Sequence, residues 1–420
     1  MDINALLKGI DCTCGKRHEC KIGYVYIEKG AIARLSKLCE SFKNILIVAD
    51  ENTYGVAGEK VLAALTDKNI KKIIFSGKTV LIPDEKAIDR VTNDLGDTDL
   101  IIGIGSGVIQ DLCKYVSFYN KVPYYIVATA PSMDGYASTG AAMITDGMKV
   151  TYSCEVPSAI IADTEVINTA PIEMIKAGYG DIIGKYSALN DWKLSNIVNG
   201  EYFCQYIYDL TFDMLKKTLP LADKLLKRDE ESVKTLMEAL VVVGIAMSFA
   251  GTSRPASGSE HHFSHFFEIT GIINGEEYFP HGIDVVYSTV LTAKLREKIL
   301  GISFPEKQFE MSRDEYSKEM HRVYKEVADG CIALQDKMGR YTEDRISTYK
   351  KFEKEIKDIL SEIPGEKEIL DILSDIQLDM NEFYKLYSDQ KIKDAVTYAK
   401  DLKDRYTVLW LYYDLFGKEN

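Results

Sequence analysis

Short apolar runs alternate with segments of helical period over the first third of the chain. Ile45-Leu-Ile-Val-Ala-Asp50 is a continuous β-rich run, as a strand buried on both faces should be. A helical pattern follows from about Gly55 to Asp67. Lys72 to Ser76 reads as the next strand, Asp84 to Leu95 as a helix, Leu100 to Ile104 as a strand, Gly107 to Phe118 as a helix and Tyr124 to Ala128 as a strand. Alternation at this spacing predicts βαβ units and a parallel sheet. Beyond about Ala170 the pattern is helical: Pro171 to Lys176, Asp181 to Val198, Glu201 to Lys216, Glu230 to Ala250, Ser259 to Glu268 and Ile283 to Leu300. From Glu306 the chain is charged and helical, with a break at Pro364-Gly365. The expectation is an α/β N-terminal domain over residues 1–165 and an all-α C-terminal domain over 166–420, with the change of pattern between about 155 and 170.

Composition agrees with two folded domains. The 420 residues are 46% hydrophobic and 27% charged, as in soluble globular proteins. A net charge of −13 argues against nucleic acid and anionic membranes as partners. It leaves room for an anionic substrate, because backbone N–H groups and local cations bind phosphate on acidic proteins too. The eight cysteines are dispersed, unlike a secreted disulfide framework. Cys12, Cys14, His18 and Cys20 lie close together, but C-x-C-G-x-x-x-x-C lacks the usual zinc-finger spacing. The N-terminus has no basic start before an apolar core, so no signal peptide is expected. The longest apolar run, Ala239 to Gly251, is short for a bilayer. A cytoplasmic protein without membrane insertion is expected.

Four of the six histidines fall between His261 and His281. Imidazole is the commonest metal ligand, and His261 and His265, four apart, share a helix face. Ser257 with Glu260 suggests a capping box at the helix start, and Ser259 is a second candidate cap. A histidine-rich surface helix would show the same local spacing. His281 stands apart, in a Pro-His-Gly turn.

A second constellation lies upstream. Ile101 to Asp111 runs from a strand into a helix through Gly103, Gly105, Ser106 and Gly107. Such a loop lets backbone approach a pyrophosphate that the helix N-terminus then holds, as in Rossmann-like nucleotide-binding domains. Asp50 ends an earlier strand, where a carboxylate accepts from a ribose 2′-hydroxyl and disfavours a 2′-phosphate. The order is unusual, since the ordinary fingerprint places its acidic residue after the glycines. Thr129 and Ser132, beyond the strand ending at Ala128, are candidate donors to the cofactor. Asp134 is a candidate for a substrate hydroxyl, although an Asp-Gly turn is common. Asp181 offers a carboxylate to a metal; at a helix start it would also be favoured by the helix dipole alone.

Taken together, Gly-Ser-Gly-x-x-x-Asp at 105–111, Ala-Pro-Ser-Met-Asp-Gly-Tyr-Ala-Ser at 130–138, Gly-Tyr-Gly-Asp-Ile-Ile-Gly-Lys at 178–185, Ser-Arg-Pro-Ala-Ser-Gly-Ser-Glu-His at 253–261 and Pro-His-Gly at 280–282 resemble the sn-glycerol-1-phosphate dehydrogenase family. That family belongs to a superfamily with glycerol dehydrogenase, iron-containing alcohol dehydrogenases and dehydroquinate synthase. The resemblance covers roughly Gly23 to Leu300 and resumes near Arg405-Tyr-Thr-Val-Leu-Trp; residues 304–379 show no motif that can be placed. It implies a dehydroquinate synthase-like fold with the active site in a cleft between domains. It implies a divalent metal, zinc or nickel with iron as a third choice, on Asp181, His261 and His281. It also implies NAD(H) or NADP(H) on Gly105, Ser106 and Gly107, with Asp111 closing the motif.

The implied reaction is reduction of dihydroxyacetone phosphate to sn-glycerol 1-phosphate by a homodimer. The metal would act as a Lewis acid on the carbonyl. His265 is the candidate proton relay, or else supports a ligand. Lys185 and Arg254 are candidates for the substrate phosphate. His262 is expected to be a bystander. The nearest rival is glycerol dehydrogenase, which needs no phosphate-binding cations. A dehydroquinate-synthase-like cyclase is disfavoured because the synthases carry glutamate where Asp181 stands. A non-catalytic NAD sensor is disfavoured because three protein ligands leave a metal open to substrate.

Overall fold

The computed structural model describes residues 2–79, 81–145 and 148–419. They fall into two compact units, Met1–Ile182 with Lys216–Ser253, and Ile183–Leu215 with Arg254–Asn420.

Among the described residues the first unit contains ten strands: β1 (Ile10–Asp11), β2 (Arg17–His18), β3 (Tyr24–Glu28), β4 (Asn44–Asp50), β5 (Asn69–Phe75), β6 (Leu100–Gly105), β7 (Tyr124–Ala128), β8 (Gly140–Thr145), β9 (Met148–Ser153) and β10 (Ala159–Asp163). Six of them form one sheet in the order β3-β10-β7-β6-β4-β5, and every pairing is parallel. Three helices packed on this sheet are α1 (Glu51–Ala63), α2 (Glu85–Asn93) and α3 (Gly107–Asn120). Side chains of β4 alternate between two cores, as the period of two requires. Ile45, Ile47 and Ala49 pack with Ala57 and Val61 of α1. Leu46 and Val48 pack with Val91 of α2 and with Leu112 and Val116 of α3.

The parallel sheet is as expected, but two of its strands were not. β3 is Tyr-Val-Tyr-Ile-Glu, and β10 is Ala-Ile-Ile-Ala-Asp with all five residues buried. The pattern change between 155 and 170 therefore falls on a strand lying between β3 and β7. A run of four apolar residues is too short for periodicity to separate strand from helix. Asp163 at its end accepts from the N–H groups of Gly30 (3.1 Å) and Glu165 (3.1 Å).

Three helices follow: α4 (Ile172–Ile183), α5 (Lys185–Asn199) and α6 (Gln205–Thr218). Asp181 thus stands in the last turn of α4, not at a helix start, because the helical run breaks at Gly184 and resumes as α5. α7 (Glu230–Ala250) belongs with the sheet rather than with the helical unit, so the single division at 165/166 does not describe the two units. It docks on the turn Asp134–Ala137, where Ser248 Oγ donates to Ala137 O at 3.0 Å. The helix is 21 residues long with mean hydropathy 1.8 over its most apolar window, long and apolar enough to cross a membrane, whereas the run counted in sequence was shorter. Of its most apolar window 72% is buried within the protein, as in a core helix.

The second unit is helical. α8 (Ser259–Asn274) and α9 (His281–Leu300) pack together, with α5 against both, and α10 (Val408–Phe416) lies on α9. Residues 304–379 form the helices Arg313–Tyr324, Ala328–Met338, Ile346–Lys351, Glu353–Leu360 and Glu366–Asp375. They are tied to the rest of this unit by buried polar bonds. Arg345 grips Asp414 of α10 with two bonds (2.8 and 2.9 Å), and Arg296 of α9 donates to Leu360 O (3.1 Å).

Candidate metal centre and cofactor loop

The start of α8 sets the histidines. Its cap is Gly258, and neither Ser257 nor Ser259 supplies the expected side-chain bond. The buried Asp191 of α5 does so instead, accepting from Ser259 N at 2.6 Å. Glu260 is fully buried, accepts from Gly258 N (2.8 Å) and lies 2.6 Å from His261 Nδ1. With Glu260 ionised, that bond holds the His261 proton on Nδ1 and leaves Nε2 with its lone pair, the arrangement of metal-binding histidines backed by a carboxylate. Burial, then the charges of Lys185 and His281, hold His261 well below its ordinary pKa, so the ring is neutral as a ligand must be. Burial pushes Glu260 up to about 8.

His261, His265 and His281 form one cluster. Ring centroids are 5.0 Å apart for His261 and His281, 6.0 Å for His261 and His265, and 5.7 Å for His265 and His281. His281 opens α9, so the two rings come from the first turns of adjacent helices. His262 is fully buried but outside the cluster, and neither ring nitrogen has a hydrogen-bond partner.

Asp181 is fully buried, and its Oδ2 accepts from the backbone N–H of Asp134 at 2.9 Å. The Asp134 main chain thus orients the Asp181 carboxylate, while its side chain is the one expected to meet a substrate hydroxyl. The 130–138 loop approaches α4 closely. A Cβ on Gly178 would fall 1.9 Å from Pro131 O, so glycine is required there.

At the other constellation, β6 ends at Gly105 and α3 begins at Gly107, with Ser106 as its cap and no side-chain capping bond. A Cβ on Gly105 would strike Ile109 at 2.6 Å, whereas one on Gly107 would meet nothing within 4 Å. The loop thus leaves room beside the first N–H groups of α3, the feature a pyrophosphate needs. Thr129 lies across the loop, its N–H bonded to Gly105 O at 3.1 Å, and Ser132 is half-buried. Asp50 caps α1 through a bond from Thr53 N (2.8 Å) to Oδ1. Asp111 accepts from Ala142 N (3.1 Å) and Lys114 Nζ (3.4 Å), fastening α3 to the ribbon of β8 and β9.

Arg254 is not available to a substrate phosphate. It is 3% exposed, and its guanidinium bonds Glu201 twice (2.7 and 2.5 Å), Tyr406 O (2.8 Å) and Ser195 Oγ (3.2 Å). Four of its N–H directions are spent, and its charge is matched by a carboxylate. Lys185 is buried, with Nζ 3.0 Å from Ala256 O. Lys403, missed in the sequence, also acts on His261 electrostatically and donates to Ser257 Oγ at 3.2 Å. Arg405 beside it donates to Ser257 O at 2.9 Å. Their signal was the Arg405-Tyr-Thr-Val-Leu-Trp motif, far from the histidines in sequence but on the same backbone turn in space.

Residues 26–171 match the family model for iron-containing alcohol dehydrogenases. The chain is 35% identical to a glycerol-1-phosphate dehydrogenase [NAD(P)+] of Halalkalibacterium halodurans over 293 residues, 68% of this chain and 73% of that one. The chain belongs to the glycerol-1-phosphate dehydrogenase family. Another member, from Thermococcus sibiricus, is 33% identical over 68% of this chain and 82% of its own length. Among solved structures, the iron-containing alcohol dehydrogenase of Thermococcus thioreducens shares the fold with a TM-score of 0.62 at 13% identity, over 96% of this chain and 94% of that one.

Proposed function

We propose that the chain reduces dihydroxyacetone phosphate reversibly to sn-glycerol 1-phosphate, using NADH or NADPH and one divalent metal held by Asp181, His261 and His281. One observation carries the metal assignment: the His261 and His281 rings lie 5.0 Å apart between centroids, with a carboxylate of Glu260 2.6 Å behind His261 Nδ1. The donor set, one carboxylate and two imidazoles, suits zinc or nickel, with iron as a third choice. Three protein ligands mark a catalytic rather than a structural site. Bound there, the metal polarises the substrate carbonyl as a Lewis acid, and the nicotinamide supplies the hydride.

The chain's own residues do the rest. Glu260 holds the His261 ring in its ligating tautomer, and the Asp134 N–H holds the Asp181 carboxylate. His265, half-buried beside both ligand histidines, passes a proton to the C2 oxygen through water. Lys185 and Lys403 take the phosphate in place of Arg254, because both bring positive charge to His261. Gly105, Ser106, Gly107, Thr129 and Ser132 line the pyrophosphate. Asp50, at the end of β4, favours a free 2′-hydroxyl and hence NADH. The enzyme works in the cytoplasm as a homodimer.

The test is NADH oxidation with dihydroxyacetone phosphate or dihydroxyacetone, after chelation and repletion with Zn²⁺, Ni²⁺ or Fe²⁺, with the product's chirality assigned. Turnover restored by metal, with strong preference for the phosphorylated substrate, is expected. Equal rates on both substrates would make it a glycerol dehydrogenase, and no turnover with any metal would overturn the assignment.

A further inference from the structure

Residues 304–379 carry no motif that can be placed, yet within the second unit they meet the segment that holds Lys403 through a set of buried polar bonds. Ala399–Leu402 is a tight helical turn packed against α8. Lys400 and Asp401 within it are both fully buried. Lys400 Nζ donates to Asp401 Oδ2 (2.9 Å), Thr397 O (2.6 Å) and Tyr341 OH (2.8 Å), so all three of its N–H groups are used. Asp401 Oδ1 accepts from Tyr316 OH (3.2 Å) and Tyr341 OH (2.8 Å). The ammonium also lies 3.9 Å from the centre of the Tyr413 ring, where a cation is attracted. A buried polar network with its partners supplied holds one arrangement, and this one turns residues 400 and 401 inward.

Lys403 comes next, with its backbone extended (φ −138°, ψ 159°). Gln335, 1% exposed on the helix Ala328–Met338, donates through Nε2 to Asp401 O (3.0 Å) and Lys403 O (2.9 Å). Both partners are carbonyls, which only accept, so the orientation of the amide follows from chemistry. One side chain thus grips the backbone on either side of Leu402. Lys403 Nζ donates to Ser257 Oγ at 3.2 Å and Arg405 to Ser257 O at 2.9 Å, at the turn that leads into α8 and His261.

We infer that Gln335 is a positioning residue for Lys403, and that residues 304–379 act in substrate selection by holding that lysine where a phosphate binds. The inference rests on the reading that Lys403 takes the substrate phosphate. Gln335 acts through the 401–403 backbone, and Tyr316 and Tyr341 share the task by way of Asp401. A lysine stem is flexible, and a displacement of about 1 Å costs a binding group much of its effect.

Gln335→Met keeps the length of the side chain and removes both donors. KM for dihydroxyacetone phosphate should rise about fivefold to twentyfold, less than in Lys403→Ala. KM for NADH and kcat/KM on dihydroxyacetone should change by less than about twofold. A loss of packing alone would lower the melting temperature without this split. In the Gln335→Met, Lys403→Ala double variant, KM should match that of Lys403→Ala, because a group that works through the lysine has nothing left to act on. Should Gln335→Met not fold, Tyr341→Phe, which removes the hydroxyl between Lys400 and Asp401, enters the same cycle with the same pattern expected. A rise in Lys403→Ala with none in the positioning variant, or effects that multiply in the double variant, would overturn the inference and leave the functional reading standing. No rise in Lys403→Ala would take the phosphate from Lys403 and overturn the inference with it.

Discussion

Replacing Arg254 separates a structural guanidinium from a substrate-binding one. Arg254 is 3% exposed, and the Glu201 carboxylate it pairs with is 31% exposed. Removing one partner of a buried ion pair costs about 3–5 kcal/mol. Water reaching Glu201 lowers the expected cost of Arg254→Ala to about 2–4 kcal/mol, part of it from Tyr406 O and Ser195 Oγ losing their donors. The second unit has about 200 residues, and each kcal/mol moves the midpoint of such a unit by about 2–4 °C. A fall of roughly 5–15 °C by scanning calorimetry is therefore expected. Kinetics supply the discriminating half. Because the guanidinium is sealed against Glu201, kcat/KM should fall by the same factor on dihydroxyacetone phosphate and on dihydroxyacetone. An unchanged midpoint with a loss of tenfold or more confined to the phosphorylated substrate would refute the reasoning and return Arg254 to the phosphate.

Lys403→Ala should raise KM for dihydroxyacetone phosphate about tenfold to a hundredfold, the value of a charge-assisted hydrogen bond, and leave dihydroxyacetone nearly untouched; initial-rate kinetics on both substrates decide it. Gly107→Ala should keep or slightly raise the melting temperature, since a Cβ there meets nothing within 4 Å, yet raise KM for NADH at least tenfold by filling the room left for pyrophosphate; an unchanged KM would move the cofactor off this loop. Asp284 is buried, accepts from Tyr387 OH at 3.0 Å, and is held well above its ordinary pKa by burial. A carboxyl raised on folding stabilises below its unfolded pKa and loses that contribution as pH rises through the folded value, so Asp284→Asn should raise the melting temperature increasingly above about pH 4; a gain largest in acid would contradict this.

Much of the site was legible because its chemistry is local in sequence. His261, His265 and the Gly105–Gly107 loop each declare themselves within one helical turn or one strand–helix junction, and the structure builds them there. What was not legible depends on distance along the chain. Arg254 reads as a phosphate-binding cation next to the histidine motif; only folding shows Glu201, 53 residues away, lying against it. The cap of α8 was sought in Ser257 and Ser259, whereas Asp191 supplies it from 68 residues upstream. β3 and β10 were missed because each is a five-residue run whose partners lie elsewhere; their pairing, Tyr24 with Ala159 through Glu28 with Asp163, is long-range information. Lys403 was missed for the same reason, since a polar partner of its Nζ, Ser257, is 146 residues back.

The electrostatics of the histidine cluster also bear on the choice between phosphorylated and free substrate. His261 and His281 both sit in first helical turns, where the helix dipoles present positive ends. Lys185 and Lys403 add positive charge, and their effect is felt at His261. In the proposed ligand set a divalent cation adds two more units, against which stand the carboxylates of Asp181 and Glu260. The balance is positive in a site that is largely buried, where charge is weakly screened. A neutral triose relieves none of that excess. A phosphate dianion does, and its binding is strengthened by the same burial that makes the empty site costly. The preference for a phosphorylated substrate therefore follows from the summed field around His261 rather than from a dedicated arginine, and it should weaken stepwise as Lys403 and then Lys185 are neutralised.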